Sequence, residues 1–194
     1  MKTLILWSAV ALAAGPAAAF MCGVSLTGGV ASPFGDFAEL AGASPVVDGR
    51  VCFCITPNWN ASLGVGYRTG HKADEDFGTV TPEYQIIPVL VGGDYRFDFL
   101  PLMPYIGGGA AVVPSRATIP IEEGVVEERN STRVGGYVEG GLEYYLGAGV
   151  GVDARGRGLY AVGGDEALYG AKAVDAGNYG AFDVLFGLFW YPGY

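Results

Sequence analysis

The sequence predicts an all-β protein, an eight-stranded antiparallel up-and-down transmembrane β-barrel, and three observations support this prediction. Residues 181–191 alternate apolar side chains with small or polar ones, which is typical of a strand with lipid on one side. The chain is 51% hydrophobic although its net charge is −9. The longest uncharged run beyond the N-terminus, 100–115, contains three prolines and three consecutive glycines, which no helix would tolerate. A closed barrel is then the remaining structure that satisfies the backbone in lipid.

The N-terminus has the pattern of a secretory signal peptide. Lys2 precedes a short apolar core, and small residues at Ala17 and Ala19 predict cleavage after position 19. The core is too short for a membrane-spanning helix. The expected domains are therefore a signal peptide at 1–19 and an outer-membrane barrel at 20–194.

Eight strands and alternating short and long connections are predicted in the mature chain. The long connections are 33–45, 71–82, 116–132 and 163–178, whereas the connections at 57–59, 98–104 and 147–148 are short. Short periplasmic turns and long outer loops are the plan of a barrel in a Gram-negative-type outer membrane. The predicted strands are 22–32, 46–56, 60–70, 83–97, 105–115, 133–146, 149–162 and 179–191.

Aromatic residues should form a girdle at the short-turn end, because Trp and Tyr prefer the level of the lipid headgroups. This girdle is predicted to contain Trp59, Phe97, Tyr105, Tyr144, Trp190 and Tyr194.

The inward face of the strands should carry a structural ionic network. An eight-stranded barrel is just wide enough for its side chains to fill it, and Arg pairs well with buried carboxylates. A plugged lumen is therefore predicted, and a proton or solute path with a switchable salt bridge is the alternative. Counting from the Gly147-Ala148 turn places Glu143 opposite Asp153 and Glu139 opposite Arg157. The predicted network consists of Asp48, Arg50, Arg68, Asp94, Arg96, Glu139, Glu143, Asp153, Arg155, Arg157 and Asp183.

The sequence predicts no catalytic, cofactor or metal site. His71 is the only histidine, and no spacing supports a triad of His71 with an acid and Ser115 or Ser131. The acidic loops lack the regular spacing of a calcium loop, so they are interpreted as a solvated surface. A disulfide from Cys22 to either Cys52 or Cys54 is left open.

Several segments resemble a known family. The resemblance is carried by GVSLTGG at 23–29, SPFGDF at 32–37, TPNWNASLGVGY at 56–67, IPVLVGGDYRF at 87–97 and PYIGGG at 104–109. These motifs resemble the small outer-membrane β-barrel family, akin to the transmembrane domain of outer membrane protein A. The resemblance covers the mature chain and implies the fold rather than an activity.

The expected function is that of a non-enzymatic barrel that contributes to envelope integrity or to surface interactions through its acidic outer loops. The alternatives are a lipid A-modifying enzyme and a passage for small hydrophobic solutes. The expected partners are outer-membrane lipid, lipopolysaccharide and the outer-membrane assembly machinery. We expect a monomer that binds no nucleic acid.

Overall fold

The structure, a computed structural model, describes residues 21–39, 41–71, 83–122, 125–163, 167–169, 172–174 and 178–192. The predicted signal peptide and Tyr194 lie outside the described residues, as does most of the predicted loop 71–82.

The described strands form one closed antiparallel sheet and one small hairpin. The barrel strands are β1 (Met21–Phe34), β2 (Ser44–Cys54), β3 (Trp59–His71), β4 (Glu83–Ile86), β5 (Val89–Arg96), β6 (Leu102–Glu122), β7 (Val125–Gly147), β8 (Val150–Val162) and β11 (Tyr179–Trp190). The hairpin consists of β9 (Ala167–Tyr169) and β10 (Lys172–Val174).

The predicted fourth strand is divided into β4 and β5 at Ile87 and Pro88, because proline has no N–H to donate to the sheet. The wall remains hydrogen-bonded at this point. The carbonyl of Pro88 accepts from Gly66 N at 2.8 Å, and Ile87 N donates to the Pro114 carbonyl at 3.0 Å. β4 and β5 thus act as one strand, and the barrel has eight.

Closure of the barrel occurs between the first and last strands. β1 pairs with β11 from Val24 opposite Trp190 to Phe34 opposite Gly180. With β1 also paired to β2, every barrel strand has two neighbours. The predicted fold class, an eight-stranded antiparallel up-and-down barrel, is confirmed.

The largest difference from the prediction is the outer hairpin. Most of 116–132, predicted to be a loop, continues β6 and β7 as a paired ribbon from Ser115 opposite Ser131 to Pro120 opposite Val126. Its Thr, Ile and Val residues favour strand, and they outweigh the acidic residues that suggest a loop. Two other predicted loops are also structured. A 3-10 helix at Gly35–Glu39 follows β1, and the β9–β10 hairpin lies between β8 and β11.

The outer surface of the barrel is apolar. On β11 the side chains of Phe182, Val184, Phe186, Leu188 and Trp190 are all exposed, as the alternation predicts. A band of exposed apolar side chains around a closed barrel is the signature of a wall in contact with lipid.

Four of the predicted girdle residues, Trp59, Phe97, Tyr144 and Trp190, are exposed near the short turns. Tyr105 is a correction, because it is only 5% exposed and faces the lumen. It shares its odd-numbered face of β6 with the buried Ala111 and Val113.

Among the described residues, no helix has the length and apolar character needed to cross a membrane.

Candidate functional site

The interior of the barrel is the candidate site, and all eleven predicted network residues lie there. None has more than 6% of its surface exposed. The reason is the two-residue period of a strand, which directs every second side chain inward. Asp48 and Arg50 come from β2, Arg68 from β3, Asp94 and Arg96 from β5, Glu139 and Glu143 from β7, Asp153, Arg155 and Arg157 from β8, and Asp183 from β11.

At the outer end of this set, one carboxylate serves two arginines. Asp183 Oδ2 accepts from Arg68 Nη2 at 2.6 Å and from Arg157 Nε at 2.8 Å. Arg157 Nη1 also donates to Asp48 Oδ2 at 2.9 Å. Arg157 therefore bridges two carboxylates that belong to different strands.

Deeper in the lumen, Arg155 is the central contact. Its Nη1 lies 3.3 Å from Asp48 Oδ1 and 3.7 Å from Glu139 Oε2, and its Nη2 donates to Asp153 Oδ2 at 2.8 Å. Glu139 also pairs with Arg50. The four arginines and four carboxylates connected in this way are named the central network; they are Asp48, Arg50, Arg68, Glu139, Asp153, Arg155, Arg157 and Asp183.

The central network balances its charges, because four guanidinium groups meet four carboxylates. Buried ions are costly unless paired and hydrogen-bonded. Each of its carboxylates contacts at least one arginine within 4 Å. The network is therefore a set of mutually dependent charges.

A second group lies toward the short-turn end, and it is named the inner group: Asp94, Arg96 and Glu143. Arg96 Nε donates to Asp94 Oδ2 at 2.9 Å, and Arg96 Nη1 lies 3.2 Å from Glu143 Oε2. Tyr191 supports the group, because its hydroxyl donates to Glu143 Oε1 at 2.7 Å and accepts from Arg96. Asn60 Nδ2 donates to Asp94 Oδ2 at 3.0 Å.

Buried tyrosines complete the polar interior, and the predicted network does not contain them. Tyr105 donates to Asp153 Oδ1 at 3.0 Å, and the hydroxyl of Tyr179 accepts from Arg68. The sequence signal for Tyr105 and Tyr179 is their parity, since each lies on the inward face of its strand.

Arg133 is a further inward arginine outside the predicted network. It is 3% exposed, and its Nη1 donates to Ser115 Oγ at 2.8 Å. Arg133 shares the odd-numbered face of β7 with Glu139 and Glu143. Arg133 lies at the predicted start of this strand, where the boundary is uncertain by a few residues, and its parity is the signal for its inward orientation.

The register of β7 and β8 agrees with the count from the turn. Glu143 lies opposite Asp153, and Glu139 lies opposite Arg157. The turn itself keeps Ala148 at φ 51°, between glycines that also have positive φ. This conformation suits a tight hairpin between twisted strands.

A catalytic arrangement around His71 finds no support in the backbone. His71 pairs with Glu83, which pairs with Thr118, whereas Ser115 lies three residues farther down β6. At a spacing of about 4.8 Å per strand and about 3.3 Å per residue, the Cα atoms of His71 and Ser115 are roughly 14 Å apart. The side chain of His71 lies outside the described part.

Over the residues that the structure describes, no group of three or more His, Cys, Asp or Glu side chains is arranged to hold a metal ion. Cys54 is disulfide-bonded, whereas Cys52 is a buried free thiol. This excludes Cys52 from the two pairings that the sequence left open.

The fold has clear counterparts among solved structures. Neisserial surface protein A matches with a TM-score of 0.61 and 18% identity, over 87% of this chain and 96% of that chain. OprG from Pseudomonas aeruginosa matches with a TM-score of 0.57 and 10% identity, over 88% and 96% of the two chains. Ail, the attachment invasion locus protein of Yersinia pestis, matches with a TM-score of 0.53 and 13% identity, over 88% and 99%.

No protein-family model and no curated protein matches the sequence. At these identities the structural likeness concerns the fold alone. The chain has the fold of the small eight-stranded outer-membrane β-barrels, as the sequence resemblance predicted.

Proposed function

We propose that this protein is a non-enzymatic outer-membrane barrel with a lumen closed by the central network. Its acidic outer loops contribute to envelope integrity or to surface interactions. The observation that carries the proposal is the ion pair between Arg50 and Glu139. Arg50 lies on β2 and Glu139 on β7, four strands away in either direction around the barrel. Their contact therefore crosses the lumen along a diameter.

Other contacts reinforce the closure. Arg155 on β8 reaches Asp48 on β2, and Arg68 on β3 reaches Asp183 on β11, so each pair also crosses between strands that are not neighbours. An eight-stranded barrel offers little width beyond its side chains. Buried charges held by several partners resist displacement, because breaking one pair exposes another charge.

Planar-bilayer recordings test the closure. We expect no large stable conductance from the refolded wild type. The double variant Arg50→Ala/Glu139→Ala removes the crossing pair without changing the net charge, and it should conduct measurably more. Arg116→Ala, at an exposed position on β6, is the control and should stay silent. Porin-like conductance by the wild type would overturn the closed lumen and favour solute passage.

Outer-membrane location is supported by the apolar outer wall and by the aromatic residues at the short-turn end. The full chain, expressed in a Gram-negative host, should lose residues 1–19 and fractionate with the outer membrane. It should migrate faster on a gel before boiling than after. Recovery of the mature chain from the soluble periplasmic fraction would contradict the location.

The non-enzymatic part of the proposal is supported by the separation of His71 from Ser115. Lipid A mass spectra should be unchanged when the gene is deleted or when His71 is replaced by Ala. A lipid A species that disappears in both strains would favour the enzymatic alternative.

A further inference from the structure

The mouth of the barrel contains a residue from outside the wall. The 3-10 helix at Gly35–Glu39 follows β1, and its Phe37 side chain is only 4% exposed. The Phe37 ring contacts Tyr179 edge-on at 5.0 Å between centroids and Tyr84 at 5.7 Å. An aromatic ring from the loop thus occupies a position between two aromatic rings of the wall.

Around this ring lies a cavity with apolar walls and a cationic residue. It is named the vestibule, and it is lined by Phe37, Tyr84, Ile86, Tyr179, Ala181 and Arg68 among others. The wall residues belong to the largest apolar cluster among the described buried residues, whereas Arg68 belongs to the central network. The free space in the vestibule is only about 10 Å³, room for about one water molecule, so a ligand ring fits only in the place of the Phe37 ring.

Arg68 has hydrogen-bonding capacity left over. The residue is 1% exposed, and in the described structure its Nε has no hydrogen-bond partner, although Nη1 and Nη2 donate to Tyr179 and Asp183. Buried donors are rarely left without an acceptor. Arg68 also lines the vestibule, so a buried donor without an acceptor lies beside this cavity.

The charge at this end favours an anion as that acceptor. Arg157 also binds Asp48, whereas the carboxylate that Arg68 contacts in the described structure, Asp183, is one it must share with Arg157. Arginine binds carboxylates especially well, because its N–H groups match the carboxylate geometry.

We propose that the vestibule binds a small aromatic monocarboxylate, for which benzoate is the probe. Its ring takes the place of the Phe37 ring between Tyr84 and Tyr179, and its carboxylate accepts from Arg68 Nε. Phe37 is then an internal occupant that the ligand displaces. The inference goes beyond the closed lumen, because it concerns binding at the outer end of the network, at Arg68, and requires no passage through it.

The test measures benzoate binding by isothermal titration calorimetry, using the refolded full barrel in zwitterionic micelles with empty micelles as the blank. Phe37→Ala removes the competing ring, so its Kd for benzoate should be at least about tenfold lower than that of the wild type. In the same variant, neutral benzamide should bind at least roughly tenfold more weakly than benzoate, since it brings no charge to Arg68.

The matched control is Phe34→Ala. Phe34 lies three residues away, but it is 43% exposed and stacks on Tyr160 on the outside of the wall. This variant should bind benzoate as weakly as the wild type. Faster gel migration before boiling verifies that each variant is folded.

Three results would overturn the proposal. The first is a folded Phe37→Ala barrel that does not bind benzoate, because water alone would then satisfy Arg68. Equal affinity for benzoate and benzamide would show that Arg68 does not bind the carboxylate. Equal gains in Phe34→Ala and Phe37→Ala would place the binding outside the vestibule.

Discussion

Glu139 and Arg157 face each other across the β7–β8 pair, yet Arg157 binds Asp48 and Asp183 while Glu139 binds Arg50. Register brings two residues to the same level but does not select the ion pair, because long side chains also reach diagonal strands and the far wall. The partners inside this barrel are set by its closure as much as by its hairpins.

Asp183 should be one of the most sensitive positions in the lumen. Asp183→Asn removes the charge that Arg68 and Arg157 share, so the free energy of unfolding should fall by about 3–5 kcal/mol. Urea unfolding in lipid vesicles, followed by tryptophan fluorescence, measures the change. Asp98→Asn, at an exposed position in a short turn, is the control and should stay within about 0.5 kcal/mol of wild type. Equal effects of the two variants would contradict the shared role of Asp183.

The cost of placing a charge on the outer wall should depend on the depth of that position in the membrane. Val138 is 69% exposed in the middle of β7, and Leu146 is 64% exposed beside the turn that ends it. Val138→Arg should destabilise the barrel in vesicles by about 2–4 kcal/mol, whereas Leu146→Arg should cost roughly 0–1 kcal/mol. If both variants unfold at the same urea concentration as wild type, this part of the wall does not contact lipid.

A side chain at Gly141 should destabilise the barrel, because the Tyr105 ring lies over this glycine. A Cβ on Gly141 would come within 2.5 Å of the Tyr105 ring, whereas the nearest atom to a Cβ on Gly140 would be 3.6 Å away. Gly141→Ala should therefore lower the free energy of unfolding by about 1–3 kcal/mol. The control Gly140→Ala should be nearly neutral in the same measurement. Near-wild-type stability of Gly141→Ala would show that the tyrosine sits elsewhere.

Thiol labelling distinguishes the cysteines. Cys52 is 1% exposed and free, so the folded, unreduced barrel should not react with a maleimide, while the unfolded, unreduced chain should take up one label. Cys52→Ser should abolish that label. Cys54→Ser should add a second one, because it releases a partner from the disulfide. Three labels on the unfolded, unreduced wild type would contradict the disulfide, because the chain has three cysteines.

Much of the fold could be predicted from the sequence, because a strand repeats every two residues. This period alone predicts that Arg68 and Asp183 point inward and that Val138 points outward, and their burial agrees. The position of Tyr105 near a turn predicts the girdle, whereas its parity indicates the lumen, where the structure places it. The outer hairpin differs from its prediction because its acidic residues indicate a loop, whereas their β-branched neighbours favour strand.

The site was less predictable than the fold. Each arginine on the inward face had several carboxylates within reach, and the choice among them depends on how eight strands tilt and close. The contact between Arg50 and Glu139 joins residues 89 apart in sequence, so no local sequence pattern predicts it. The insertion of Phe37 depends on how a short loop folds back over the mouth.

The seam between β1 and β11 links closure of the barrel to the pairing of its buried charges. Arg68 and Asp183 are 115 residues apart in sequence, and the strand that carries Asp183 is one of the two strands that close the ring. While β11 is unpaired, Arg68 and Arg157 lack the carboxylate they share, and guanidinium groups without a partner are costly to bury. Pairing of β11 with β1 and β8 therefore closes the wall and brings Asp183 to both arginines together.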